Sequence, residues 1–262
     1  MTSPSPRLRP GVHVVIRDAD YVQVGLDPPA RVIARRRPDV AEALEWLTTG
    51  WADAGFEQTP ATEALLRDLA AAGLLAAAGV STGRSRRARG TVRLIERGLD
   101  LDTLAGLLEL SGVRVSARAP VPDLYVVAAP GPLPRAALDD WLSEGAPHLV
   151  IAGTGHPGSL RLGPLVEPGV SACLRCVDAH ESQLDPRRPL VLEQLAALPA
   201  PAPDRALAAF ALTWAAREVL AFLSDQRPVT WSGTVDLDGP APVVRTWERH
   251  PYCGCAWDVI PY

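Results

Sequence analysis

The chain has no lysine: all 26 of its lysine-or-arginine positions are arginine. A P-loop ATPase sets a lysine against its phosphates, so that class is excluded. Apolar runs long enough to cross a membrane are missing as well, and the first ten residues are polar and Pro-rich, without the apolar core of a signal peptide. The expectation is a soluble, cytoplasmic protein with no membrane partner. The net charge is −4 and no long basic block occurs outside one short stretch. Nucleic acid is therefore not an indicated partner. Cysteine is scarce, and in a reducing compartment thiols stay reduced.

The four cysteines fall as two close pairs, Cys173-Leu-Arg-Cys176 and Cys253-Gly254-Cys255. Each short loop can aim two sulfurs at one point, and thiolates suit a tetrahedral, borderline-soft ion. The reading is a structural zinc held by all four, which would tie the C-terminal segment to the body of the domain and leave no open position for catalysis. Two disulfides or four unrelated buried thiols are the alternatives. His250 could replace one cysteine, though a lone histidine there is more often exposed.

A chain of 262 residues holds one large or two small domains and can bury a sizeable core. Val12–Ile16, Tyr21–Leu26 and Arg31–Ala34 are short β-branched runs parted by turn residues, and they read as an antiparallel meander. A helix opens at Pro38 with Val40, Ala43, Leu44 and Leu47 on one face. A second opens at Thr59-Pro60, carries Leu65, Leu66 and Leu69, and stops at Gly73. Three strands with helices, over residues 1–80, suggest a winged-helix-like domain. Its open sheet edge could take up an extended peptide, through Tyr21, Val22, Val24, Arg31, Val32 and Ile33. Equally, the strands could be a lid on the larger domain. Residues 81–90, small, basic and aperiodic, read as a linker.

From Thr91 to the end, residues 91–262, strand and helix patterns alternate: strands at Thr91–Ile95, Val113–Ala117, Asp123–Ala128 and His148–Ala152, and helices at Asp100–Leu110 and Pro134–Ser143. This is the pattern of a mostly parallel, Rossmann-type sheet. A long apolar helix near Arg205–Leu223, with Phe210, Trp214 and Phe222, packs this half or supplies a dimer face. The segments Val229–Val235 and Val243–Trp247 read as a hairpin that delivers the last cysteines. The turn after the first strand should cradle nucleotide phosphates. Here it reads Glu96-Arg97-Gly98-Leu99-Asp100-Leu101, in which only Gly98 keeps a glycine of G-x-G-x-x-G. Glu96 and Leu101 take the other two positions, and a carboxylate repels phosphate. The second strand ends without an acidic residue for a ribose. The third ends in Ala128-Ala-Pro130, where magnesium would need an Asp. ATP binding in the usual mode is therefore not expected. Among single residues, His156 in the Gly153–Gly158 turn could touch a ligand, and His180 could bond a thiolate. Trp46, Trp51 and Trp141 read as core.

Residues 90 to 262, with Gly163-Pro-Leu-Val166, Pro168-Gly169, Cys173-Leu-Arg-Cys176-Val-Asp-Ala-His180 and His250-Pro-Tyr-Cys-Gly-Cys255, resemble the ThiF-like family related to ubiquitin-activating enzymes. The likeness is to the branch found with thiazole/oxazole-modified peptide biosynthesis, the cyclodehydratase or leader-peptide-binding proteins. The N-terminal strands and helices resemble that branch's PqqD-like recognition element. The resemblance implies a homodimer that grips the leader of a ribosomally made precursor peptide and presents the core to a partner, usually a YcaO-type enzyme carrying the ATP chemistry. The zinc ligands carry over to Cys173, Cys176, Cys253 and Cys255. The family's adenylation residues have no match here, so the resemblance points to a non-catalytic recognition protein. The alternative is an ATP-dependent adenylating enzyme acting on a peptide C-terminus.

Overall fold

The computed structural model describes residues 6–49, 56–76 and 90–256. The chain divides into two compact units, Met1–Arg86 and Arg87–Tyr262. In the first, β1 (Val14–Ile16), β2 (Tyr21–Gly25) and β3 (Arg31–Arg35) form an antiparallel sheet in that order. The register sets Val24 between Val14 and Val32, and Gln23 between Val15 and Ile33. Because side chains alternate along a strand, one face carries Val14, Val24 and Val32 and the other Val15, Gln23 and Ile33. The first face packs on α1 (Pro38–Thr49) and α2 (Pro60–Ala71), where Val24, Val32, Val40, Ala43, Leu44, Leu47, Leu65 and Leu69 form a buried cluster.

Both ends of α2 follow from the local sequence. Thr59 and Thr62 close a reciprocal capping box at its start. At its end Gly73 adopts φ +65°, and the amides of Gly73 and Leu74 bond back to Ala70 and Leu69. This is the left-handed stop that glycine adopts without penalty. The three strands and the two helices expected here are present. Trp46 meets Phe56 edge to face at 5.2 Å. Trp51 and all of the expected linker 81–90 except Gly90 lie outside the described residues.

The second unit is built on a seven-stranded sheet of β4 (Thr91–Glu96), β5 (Arg114–Val115), β6 (Leu124–Ala129), β7 (His148–Ala152), β8 (Arg161–Val166), β9 (Gly233–Asp236) and β10 (Val243–Thr246). Its spatial order is β10-β9-β8-β7-β6-β4-β5. The four strands β5, β4, β6 and β7 are mutually parallel, and β8, β9 and β10 continue antiparallel. The sheet is thus mixed, its parallel part confined to the strands where the sequence alternates strand with helix.

Strands β6 and β7 are buried along their whole length, as expected when both faces are covered. On one face lie α3 (Asp102–Leu110) and α7 (Arg205–Phe222), through Leu104, Leu108, Ala211, Ala215 and Val219. On the other, Val127, Ala129, Val150 and Ala152 pack with Leu133, Leu138 and Leu174. These come from a 3-10 turn (Arg135–Leu138) and its approach, and from α5 (Leu174–Glu181). The helix α4 (Asp139–Ser143) continues the 3-10 turn.

Three details depart from the sequence reading. The strand expected over Val113–Ala117 pairs only through Arg114–Val115, and Pro120 and Pro122 soon follow, unable to donate to a ladder. Phe210 does not pack inward: it is 47% exposed, because the buried stripe of α7 runs through Ala211, Ala215 and Val219 and Phe210 falls outside it. The helix α6 (Arg188–Ala196) had no visible period, since Leu192 is buried while Leu190 and Val191 are exposed.

Candidate functional site

Cys173 stands at the N-cap position of α5 without a side-chain capping bond, and Cys176 follows in its first turn, its amide bonded to the Cys173 carbonyl at 3.0 Å. Both thiols thus lie at a helix N-terminus, an end that favours negative charge. The amide of Ala172 donates to Ser232 Oγ at 2.8 Å, which ties this loop to the approach to β9. The second pair arrives from β10. The amide of Trp247 donates to the Ser232 carbonyl, and its indole Nε1 donates to Thr234 Oγ1. The Cys253 amide then bonds the His250 carbonyl at 2.9 Å, and Arg249 holds the Cys255 carbonyl.

The sulfurs converge. Cys173 Sγ lies 3.7 Å from Cys176 Sγ and 3.6 Å from Cys253 Sγ, while Cys176 Sγ lies 3.3 Å from Cys255 Sγ. All four are within 4.8 Å of one another. These separations exceed a disulfide bond of about 2.05 Å, and all four cysteines are free. They approach the edge of about 3.8 Å that a tetrahedron of sulfurs has when each lies about 2.3 Å from a central zinc. The donor set and spacing therefore fit a four-coordinate soft or borderline metal. Hydrogen bonding with Cys176, Cys253 and Cys255, and then burial, pushes the Cys173 thiol up. Hydrogen bonding with Cys173 first, then with Cys253 and Cys255, holds Cys176 below its ordinary value. Four sulfurs this close cannot all be thiolates without a cation among them.

The histidines near the cluster do other work. The His250 amide donates to Cys176 Sγ at 3.3 Å, while its ring Nδ1 accepts from the Tyr252 amide. His180 Nε2 pairs with the Glu248 carbonyl at 3.0 Å rather than with a thiolate.

A second polar assembly, which sequence reasoning missed, joins the same elements. Arg161 on β8 grips Asp236 on β9 through Nε and Nη2, and Nη2 also reaches Glu181 on α5 at 2.8 Å. Arg188 on α6 binds the other Glu181 oxygen at 2.7 Å, and Arg245 on β10 approaches Asp236 at 3.3 Å. Burial works against the charge of Glu181, but the bonds from Arg161 and Arg188 outweigh it, and its pKa lies below the ordinary value. The signal in the sequence was an arginine inside the apolar run Leu160–Val166. His156 borders the groove that opens beside this network. Glu218 is a third such case: buried in α7, it accepts from Trp214 Nε1 and from both the amide and hydroxyl of Thr230.

At the end of β4, Gly98 turns with φ +94°. Glu96 Oε1 accepts the Leu101 amide at 3.1 Å and Asp100 Oδ1 accepts the Asp102 amide at 2.7 Å. Leu101 is buried. The carboxylates of Glu96, Asp100 and Asp102 gather within 4.8 Å, all exposed. Thus amides at the start of α3, which would face a phosphate, are taken by the chain's own carboxylates. At the end of β6, Ala128 and Ala129 are buried.

In the first unit, Tyr21, Val22 and Val24 lie on the central strand β2, with Val24 buried. Val32 on β3 is buried too, and Arg31 and Ile33 are exposed on it. Among the described residues no strand pairs with the outer edge of β3.

No protein-family model matches the sequence, nor does any curated protein sequence. Among solved structures the chain is similar to a heterocyclase in complex with substrate and cofactor, at 17% identity and TM-score 0.68, and to the heterocyclase TruD, at 20% and 0.70. It covers 97% and 96% of itself in these matches but spans only 40% and 42% of those chains. It is also similar to E. coli MccB, solved with MccA and with ATP. Identity there is 13%, TM-scores are 0.64 and 0.65, and the match covers 96% and 95% of this chain and 99% of MccB. At such identities the likeness defines the fold: a mixed α/β chain shared with heterocyclases and with the microcin C7 biosynthetic enzyme MccB.

Proposed function

We propose that this protein is a non-catalytic recognition and scaffold protein. It binds the leader of a ribosomally synthesised precursor peptide through residues 1–80 and presents the peptide to a partner modifying enzyme of cyclodehydratase, YcaO type. The observation that carries the reading is the turn from Glu96 to Asp102, where carboxylates occupy two amides at the start of α3. Phosphate there would displace those bonds and meet three negative groups. The neighbours are consistent with peptide modification, since one heterocyclase was solved with substrate and MccB with MccA.

The leader adds to the open edge of β3, where backbone pairing supplies affinity and Arg31 and Ile33 supply selectivity. In this reading the first unit is the PqqD-like, winged-helix-type element, joined by linker 81–90 to a ThiF-like domain without its nucleotide function. Cys173, Cys176, Cys253 and Cys255 would hold zinc as a closed structural site, fastening β10 and the chain beyond it to α5. The protein acts as a homodimer in the cytoplasm, and the exposed Phe210 on α7 is the first place to look for the contact.

The second reading is an adenylating enzyme, favoured by one observation: MccB was also solved with ATP. Calorimetry with ATP and magnesium separates the two, with no binding expected. The same sample, titrated with precursor peptides encoded beside its gene, should bind one with a Kd of roughly micromolar or tighter. Binding of none of them would remove the recognition reading, and clear ATP binding would put the adenylating enzyme in its place.

A further inference from the structure

The outer edge of β3 carries a chemical pattern that peptide binding alone leaves unspecified. Along β3, Arg31, Ile33 and Arg35 alternate with Val32 and Ala34, so the first three share the face away from the helices. All three are exposed, Ile33 by 41%. On β2 the residues opposite them are Gly25, Gln23 and Tyr21. Gly25 offers Arg31 no side chain. Gln23 spends its amide on the carbonyls of Gly25 and Leu26. The Tyr21 ring lies 5.9 Å from the Arg35 guanidinium. The Tyr21 side chain bonds Arg35 and raises its pKa most, and Asp20, from the turn between β1 and β2, adds a smaller push in the same direction. An apolar residue therefore stands between two cations on an edge that, among the described residues, pairs with no strand.

Resting on the reading that a peptide adds to this sheet, we infer that its ligand is an extended acidic segment of the pattern acidic-x-apolar-x-acidic. An added strand sets every second residue opposite the outward residues of β3. Its first and fifth residues then face Arg31 and Arg35, and its third faces Ile33. Because the order cation, apolar, cation is symmetric about Ile33, a parallel or an antiparallel ligand reads the same motif. Two opposite-charge pairs of ordinary cross-strand strength change affinity by roughly 2- to 30-fold. Charged residues also keep a sheet edge from aggregating. That role neither requires the exposed Ile33 nor discriminates among peptides.

The test is selection of a random decapeptide display library on the full chain, in parallel with R31E/R35E and with Arg31→Gln, each checked for fold by circular dichroism. Enrichment of acidic-x-apolar-x-acidic peptides on the wild-type chain is expected, with loss of one acidic preference on Arg31→Gln and a basic-x-apolar-x-basic set on the double variant. Peptides enriched without charge preference, or the same set on all three proteins, would overturn the motif and leave strand addition standing. No enrichment of any peptide would overturn the peptide-binding reading and the motif with it. If the double variant does not fold, the wild-type and Arg31→Gln selections still decide.

Discussion

His148 begins β7 with its ring fully buried, Nδ1 donating to the Ala146 carbonyl at 3.0 Å and Trp141 centred 5.5 Å away. Among the described residues its Nε2 has no hydrogen-bond partner, so a proton added there would be a buried, unpaired charge. Burial accordingly lowers its pKa from 6.5 to about 4, partly opposed by the Ala146 carbonyl. Between those values the unfolded chain binds more protons than the fold. Stability from this group is complete above pH 6.5 and is lost as the pH falls toward 4. A gap of about 2.5 at 1.36 kcal/mol each gives about 3.4 kcal/mol at full extent, and about 2 kcal/mol at pH 5. Hydrogen exchange at the buried β7 amides of Leu149 and Ile151, corrected for intrinsic rates, reads this directly. From pH 7.5 to 5 protection in the wild type should fall about 30-fold more than in His148→Leu. The variant comparison cancels what carboxylates and thiols contribute to the same pH range. Equal slopes in the two proteins would refute the argument that a neutral, desolvated imidazole stands at this position.

On the proposed zinc reading, elemental analysis should find about one zinc per wild-type chain and near none in Cys173→Ser, and residues 247–256 should lose exchange protection in the variant. Retained zinc would mean that the four sulfurs are not the ligand set. Arg161→Met leaves Asp236 and Glu181 buried with fewer cations, and chemical denaturation should show a loss of about 3 kcal/mol. Adding Asp236→Leu should recover part of it, and strict additivity in that cycle would show the pair to be uncoupled. Glu218→Leu strands the amide and hydroxyl of Thr230 and should cost about 2–3 kcal/mol. A stability unchanged from wild type would mean that water satisfies Thr230 instead. Gly163→Ala, at φ +96° with its new methyl 2.4 Å from the Gly233 carbonyl oxygen, should lower Tm by several degrees in a melting scan.

Local rules were enough for much of the fold. Pro38, Thr59-Pro60 and Gly73 mark helix ends in the sequence, and the leucines of α2 show their inward face by spacing alone. The pairing Cys173/Cys176 and Cys253/Cys255 already named a candidate ligand set. The broken glycine pattern from Glu96 to Leu101 was likewise visible in the sequence, and in the fold Glu96 accepts the Leu101 amide there. These features depend on neighbours within a turn or two, where propensity and capping act.

What the sequence could not give depends on residues far apart in the chain. Cys173 and Cys253 are 80 positions apart, and only the route of β9 and β10 brings their sulfurs to 3.6 Å. Arg161 is 75 positions from Asp236, and no periodicity links them; β8 and β9 must pair antiparallel before their charges meet. The change from parallel to antiparallel pairing after β7 is likewise a choice of strand partner, which backbone hydrogen bonding permits either way. By itself the sequence determined most of the strands and helices, though not α6 or the short pairing of β5, and which cysteines could gather round a metal. The tertiary structure decided which of those side chains face one another, because burial, pairing and charge compensation are settled only when distant segments share one interior.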